Sequence, residues 1–107
     1  MFNQYELKLV RQCDNDLDYH IYYNNIKIGS VEITCFDNYI FIRHIKIYIT
    51  YRNQGHATNV VDYLFEMFNL PITICVSHTK CAVDFWTNYM SDKNVIHERG
   101  SIYTIQK

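Results

Sequence analysis

Apolar and polar residues alternate along the first half of the chain with the two-residue period of β-strands. Phe2 to Val10, Tyr19 to Tyr23 and Ile26 to Phe36 read as antiparallel strands. The acidic run Cys13-Asp14-Asn15-Asp16-Leu17-Asp18 separates the first from the second. Asn24-Asn25 tolerates the positive φ of a tight hairpin, and Asp37-Asn38 marks the next turn. A further strand from Tyr39 to Thr50 puts Ile45, Ile47 and Ile49 on one face and His44, Lys46, Tyr48 and Thr50 on the other. At Ala57 the period changes. Ala57, Val60, Val61, Leu64, Phe65 and Phe68 make one helical stripe, with Asn59, Asp62 and Glu66 facing away. The stripe is expected to pack on the isoleucine face. Pro71 to Ser77 reads as a strand, Ala82 to Tyr89 as a helix, and Val95 to Ile105, broken at Gly100, as a closing hairpin.

Composition narrows this picture. The 107 residues suit one domain, 1–107, with a real core and no room for a second. With 49% apolar residues and a net charge of −1, the chain is globular and lacks the basic run of a protein that binds nucleic acid by neutralising phosphates. No apolar stretch reaches the roughly 18 to 20 residues of a membrane span, and no signal peptide precedes the first strand. A cytoplasmic protein without a membrane partner is therefore expected. Cys13, Cys35, Cys75 and Cys81 follow no metal spacing, the histidines are scattered, and no metal site is expected. Cys35 and Cys75 lie in strand-like runs, where a small buried hydrophobe is the ordinary role. The abundance of Ile, Asn and Tyr hints at an AT-rich genome, such as that of a phage.

The stretch Tyr51-Arg52-Asn53-Gln54-Gly55-His56-Ala57 joins the isoleucine strand to the helix. A glycine at such a joint lets the backbone approach a ligand closely. The free N–H groups of the helix start, together with the helix dipole, favour a phosphate there, and Arg52 can add a charge-assisted contact. The spacing Arg-x-x-Gly-x-Ala in this strand–turn–helix setting resembles motif A of the GNAT N-acetyltransferase superfamily, which binds the pyrophosphate of acetyl-CoA. Ala82-Val-Asp-Phe-Trp resembles the family's next helix, which usually reads Ala-x-x-Leu-Tyr. The order of elements is similar from Ile40 to the C-terminus. This implies a GNAT-like α+β fold with a mixed, mostly antiparallel sheet of about six to seven strands and two helices. It also implies a coenzyme A site at Ile45, Ile47, Arg52, Asn53, Gln54, Gly55, His56, Ala57, Thr79 and Trp86.

The chain departs from the family in three ways. Typical members place two helices between the first and second strands, walling the acceptor site, whereas only Gln12 to Asp18 is available here. An open acceptor side suits a lysine or N-terminus of a protein better than an enclosed small amine. Asp14, Asp16 and Asp18 would lie near that opening and could attract a cationic amine, or form an ordinary solvated turn. Family chemistry needs a base for the ammonium and often an acid for the leaving sulfur. No Asp or Glu occurs between Asp37 and Asp62, so His44, whose imidazole nitrogen can accept a proton, is the candidate base and Glu32 the second. Trp86 occupies the position of the family's acidic tyrosine, and an indole cannot act as a proton-transfer acid. Tyr89, one turn on, is the substitute, or a packing residue. Cys81 has no visible base beside it and is a poor nucleophile candidate.

Three functions follow. The first is an acetyl-CoA-dependent N-acetyltransferase acting on an exposed amine, the second a GNAT-like binding module that works through protein contacts, and the third a small domain that binds no nucleotide. The polar face with His44, Lys46 and Tyr48 is also a candidate contact for a partner or, as a homodimer, for a second copy.

Overall fold

The computed structural model describes residues 4–106. Strands β1 (Tyr5–Cys13), β2 (Asp16–Tyr23), β3 (Ile26–Cys35) and β4 (Ile40–Ile47) form an antiparallel meander. Helix α1 (His56–Phe68) then leads to β5 (Ile72–Cys75), and α2 (Lys80–Met90) leads to the hairpin of β6 (Val95–Arg99) and β7 (Ile102–Ile105). Among the described residues these make one seven-stranded sheet in the order β1-β2-β3-β4-β5-β7-β6.

The topology fixes where the helices lie. β5 is parallel to β4. β5 and β6 are each antiparallel to β7, so they too are parallel to one another. Right-handed crossovers that both step in the same direction along a sheet put their helices on the same face. The core agrees. Ile21, Val31, Ile33, Ile40, Ile42, Ile72, Ile74 and Ile105 are buried, and so are Val60, Val61, Leu64 and Phe65 of α1 and Trp86 and Tyr89 of α2. Each such aliphatic side chain contributes about 1.5 to 3 kcal/mol by leaving water.

The other face carries Glu32, Thr34, Phe41, Arg43, His44, Lys46, Thr73 and Thr104, none of them buried. No helix covers it among the described residues, and β1 turns into β2 through Asp14 and Asn15 alone. Its polar groups satisfy one another. The Arg43 guanidinium donates to Asp18 at 2.7 Å and to the Ile33 carbonyl at 3.2 Å, and it lies 3.5 Å from Glu32. Arg11 donates to the other Asp18 oxygen at 2.7 Å, Thr34 donates to Asp16 at 2.7 Å, and Thr73 and Thr104 share a hydrogen bond. None of the helices is long and apolar enough to cross a membrane.

Several sequence-based boundaries shift. The expected strand start at Phe2 lies outside the described residues, and β1 continues to Cys13. Asp16, Leu17 and Asp18 belong to β2 instead of a turn, because Asp16 and Asp18 find partners across the sheet. They therefore do not form a free acidic lure for an amine. β4 stops at Ile47. Tyr51 and Arg52 then donate backwards to the carbonyls of Tyr48 and Ile49, closing a 3₁₀ turn over Ile49–Tyr51 that leaves Ile49 79% exposed. Asn59 and Asp62 do not simply face solvent: each is bonded to another element. Cys75 is exposed and Cys35 half-buried, so only the latter approaches the expected packing role. All four cysteines are free thiols, and no cluster of metal-ligating side chains occurs among the described residues. The Asn24-Asn25 turn has the expected positive φ, 50° and 67°.

Two stability predictions follow from this sheet. Gly29 pairs with Ile47, and a Cβ there would collide with the Lys46 carbonyl oxygen. Gly29→Ala is expected to cost about 1 to 3 kcal/mol through overpacking, read as a lower urea midpoint. An unchanged midpoint would show that β3 and β4 part without cost. Asp18 is held below the ordinary carboxylate range, first by its hydrogen bond from Arg11 and then by that from Arg43. Since the unfolded chain takes up this proton at higher pH, the stabilisation is present above the ordinary carboxylate pKa and lost as pH falls through the lowered one. Asp18→Asn should therefore flatten the fall of Tm below about pH 4. Melting curves as steep in acid as those of the unmodified chain would place that sensitivity elsewhere.

Candidate functional site

β4 pairs with β3 along its whole length but with β5 over only three rungs, Ile40–Ile72, Phe41–Thr73 and Ile42–Ile74. Two features open a gap beyond Ile42. The ladder with β3 slips at Arg43, where Glu32 pairs with His44 and Ile33 with Ile42, and such a bulge bends a strand. On the far side, β5 follows β7, and the Val76 N–H bonds the Ser101 carbonyl. Tyr48 donates its N–H to Ile28 on the β3 side. Alternation along the strand then turns the N–H and C=O groups of Ile45 and Ile47 toward the gap. A ligand lying there can pair with backbone as a further strand would.

The gap ends at the start of α1. Gly55 is the N-cap, in the left-handed conformation at φ 81°, and no side chain caps the helix. The N–H groups of His56, Ala57 and Thr58 thus lead out of the first turn without a side-chain acceptor, and nothing lies within 4 Å of where a Gly55 Cβ would stand. Arg52, Asn53, Gln54 and Gly55 are all exposed. This is the space and the donor set that a phosphate requires. Arg52 is partly committed: its Nε donates to the Ile47 carbonyl at 2.7 Å, which ties the turn to the end of β4. The side chain that was expected only to meet an anion also shapes the loop that would hold it.

His44 and Glu32 are cross-strand partners on the bare face, beside the bulge. His44 is exposed, and Glu32 is half-exposed near Arg43. Tyr89 is placed differently. It is buried on α2 and donates its hydroxyl proton to Asp62 of α1 at 2.6 Å. Burial, reinforced by the Asp62 carboxylate, raises its pKa well above that of a free tyrosine, so it holds its proton and ties the two helices together. Trp86 is buried as well, edge-on to Phe85 at 4.8 Å. The Thr79 hydroxyl is occupied as the N-cap of α2, accepting from the Ala82 N–H at 3.3 Å. Cys81 is exposed on the first turn of α2.

Two features escaped the sequence reading. An open cleft of about 350 Å³ runs from Thr58 on α1 to Phe85, Asn88 and Tyr89 on α2 and on to Lys93. Its lining comes from two distant helices, so no local spacing marks it. The His56 side chain is the second. It is 7% exposed, and its Nδ1 lies 2.7 Å from the Tyr5 hydroxyl, which also accepts from Asn59 Nδ2 at 3.1 Å. The partners are 51 and 54 residues apart in the chain, which hides them from any motif.

No protein-family model and no curated protein matches the sequence. Solved structures do. A GNAT-family protein from Bacteroides thetaiotaomicron superposes with a TM-score of 0.66 at 16% identity, over 88% of this chain and 62% of that one. An acetyltransferase from Salmonella typhimurium that modifies the N-terminal serine of a 50S ribosomal subunit protein gives 0.65 at 10% identity, over 88% and 64%. A GNAT-family acetyltransferase from Elizabethkingia anophelis with acetyl-CoA bound gives 0.57 at 19% identity, over 85% and 73%. The chain therefore spans 62% to 73% of the length of these structures. These superpositions identify the architecture: this chain has the fold of the GNAT acetyltransferases.

Proposed function

We propose that the chain is an acetyl-CoA-dependent N-acetyltransferase whose acceptor is an exposed amine on a protein, a lysine or an N-terminus. The observation that carries this reading is the uncapped start of α1 at Gly55, set at the mouth of the β4–β5 gap in this fold. The N–H groups of His56, Ala57 and Thr58 would take the pyrophosphate of coenzyme A, with Asn53, Gln54 and the outer guanidinium of Arg52 around it. The backbone of Ile45 and the N–H of Ile47 would pair with the pantetheine arm, the Ile47 carbonyl being held by Arg52. The cleft beside Thr58, with the Phe85 ring and the Lys93 ammonium, suits the phosphorylated adenosine end. Bound acetyl-CoA would supply an acyl thioester, whose carbonyl carbon bonds the amine nitrogen while the carbon–sulfur bond breaks and coenzyme A leaves as a thiolate.

The chain's own residues would then hold and move protons. His44 accepts one from the incoming ammonium, and Glu32 beside it orients the imidazole or the amine. With Trp86 buried and the Tyr89 proton held by Asp62, neither of these two side chains serves as an acid for the sulfur, and solvent would return that proton. Proximity then carries most of the rate, since holding two reactants in line supplies several kcal/mol. The uncovered sheet face leaves the acceptor side open, which supports a macromolecular amine over an enclosed metabolite. The same absence of a placed acid favours a second reading, a GNAT-fold module that binds coenzyme A or a partner without turnover.

Acetyl-CoA at about 100 times its Kd is expected to stabilise the chain by about 2.7 kcal/mol, seen as a rise in Tm. No rise at millimolar ligand would remove the coenzyme A site. Intact-mass measurement on mixed peptides should then show acetyl-CoA-dependent acetylation, and binding without it selects the second reading. His44→Ala should lower kcat/KM at least about tenfold and flatten its rise with pH while coenzyme A still binds. Full activity with an unaltered profile would make His44 an ordinary surface residue.

A further inference from the structure

His56 is a polar side chain among the buried residues of the core, and it opens the helix that forms the cradle. An apolar side chain would fill the same place without the desolvation cost of an imidazole, so the polar group calls for a reason. The Tyr5 hydroxyl on β1 meets Nδ1 of His56 and the amide of Asn59 three residues further along α1. Asn59 can only donate through Nδ2, so the Tyr5 oxygen accepts that bond. The hydroxyl and Nδ1 share the second bond, whose direction follows the imidazole tautomer. Tyr23 of β2 lies against the imidazole, with ring centroids 4.6 Å apart, and Tyr5 packs on Tyr23 at 4.8 Å.

Two side chains of one helical turn therefore converge on a single hydroxyl of the first hairpin. The buried stripe of Val60, Val61 and Leu64 sets the rotation of the helix as a whole, and these two bonds add a restraint at its first turn. Gly55 imposes no such restraint, having open space around it and the wide conformational freedom of a glycine. We propose that the His56 side chain is a positioning residue, which acts with Asn59 through Tyr5 to hold the first turn of α1 so that the N–H groups of His56, Ala57 and Thr58 converge on one pyrophosphate. This inference rests on the coenzyme A reading of the cradle and assigns to the Tyr5–Tyr23 hairpin a part in ligand binding.

Calorimetry with coenzyme A tests it on the unmodified chain and on His56→Leu, Tyr5→Phe and His56→Asn, each well below its own Tm. His56→Leu and Tyr5→Phe are expected to bind about tenfold more weakly, because a small misdirection of preorganised donors is costly. His56→Asn, whose amide oxygen can take the Tyr5 proton in place of Nδ1, should recover most of the affinity. A role confined to stability would lower Tm and leave the Kd of the folded protein unchanged, and that result overturns the inference. Should His56→Leu fail to fold, Tyr5→Phe alone decides, since it removes one oxygen and no apolar contact. Coenzyme A binding that ignores both substitutions overturns the positioning role alone. No binding by the unmodified chain overturns the cradle and this inference with it.

Discussion

A parallel pair of strands cannot be closed by a turn, and this constraint organises the molecule. β4 and β5 run the same way, so the chain must return across the sheet, and it does so as α1. The return places the N-terminus of α1 at the carboxyl end of β4, where the two strands have just parted. Backbone donors of the strand edge and of the helix start are thereby brought into one groove. The isoleucines of β4 and the Val60, Val61, Leu64 and Phe65 stripe of α1 hold that arrangement, because neither face is stable in water without the other.

The second crossover repeats the first in the same direction, and both helices come to lie on one side. The opposite face has no apolar layer to bury, and its composition suits exposure. Arg43 links Asp18, Glu32 and the Ile33 carbonyl across three strands, while threonine and charged side chains fill the remainder. Such exposed ion pairs add little stability each. Their consequence is a sheet face whose polar groups are paired although no helix covers it among the described residues. The proposed acceptor side lies toward that uncovered face, which is why the acceptor reading turns toward a macromolecule.

Tyr5, His56 and Asn59 connect these two halves. The meander is joined to the crossover unit by strand pairing between β3 and β4 and, at the far edge, by the hydroxyl of Tyr5. The second link joins the start of α1 to the first hairpin. The turn at Gly55 is thus tied to a residue 51 positions from His56.

By itself the sequence determined the elements that obey a local period. Seven strands, two helices, the Asn24-Asn25 turn and the glycine joint before α1 are all legible, because alternation, helical stripes and glycine conformations are set within a few residues. The missing wall of helices is legible too, since Gln12 to Asp18 holds too few residues to form it. Strand ends were less so: Asp16 and Asp18 carry turn propensity that ion pairs with Arg43 and Arg11 override, and Ile49 continues a pattern that a 3₁₀ turn has already ended. Only the tertiary structure decided that Arg52 braces β4, that Tyr89 gives its proton to Asp62, and that His56 is buried against Tyr5. The last two are contacts between elements, fixed by how the helix sits on its neighbours, and hydrogen bonds between residues 27 and 51 positions apart leave no period in the chain.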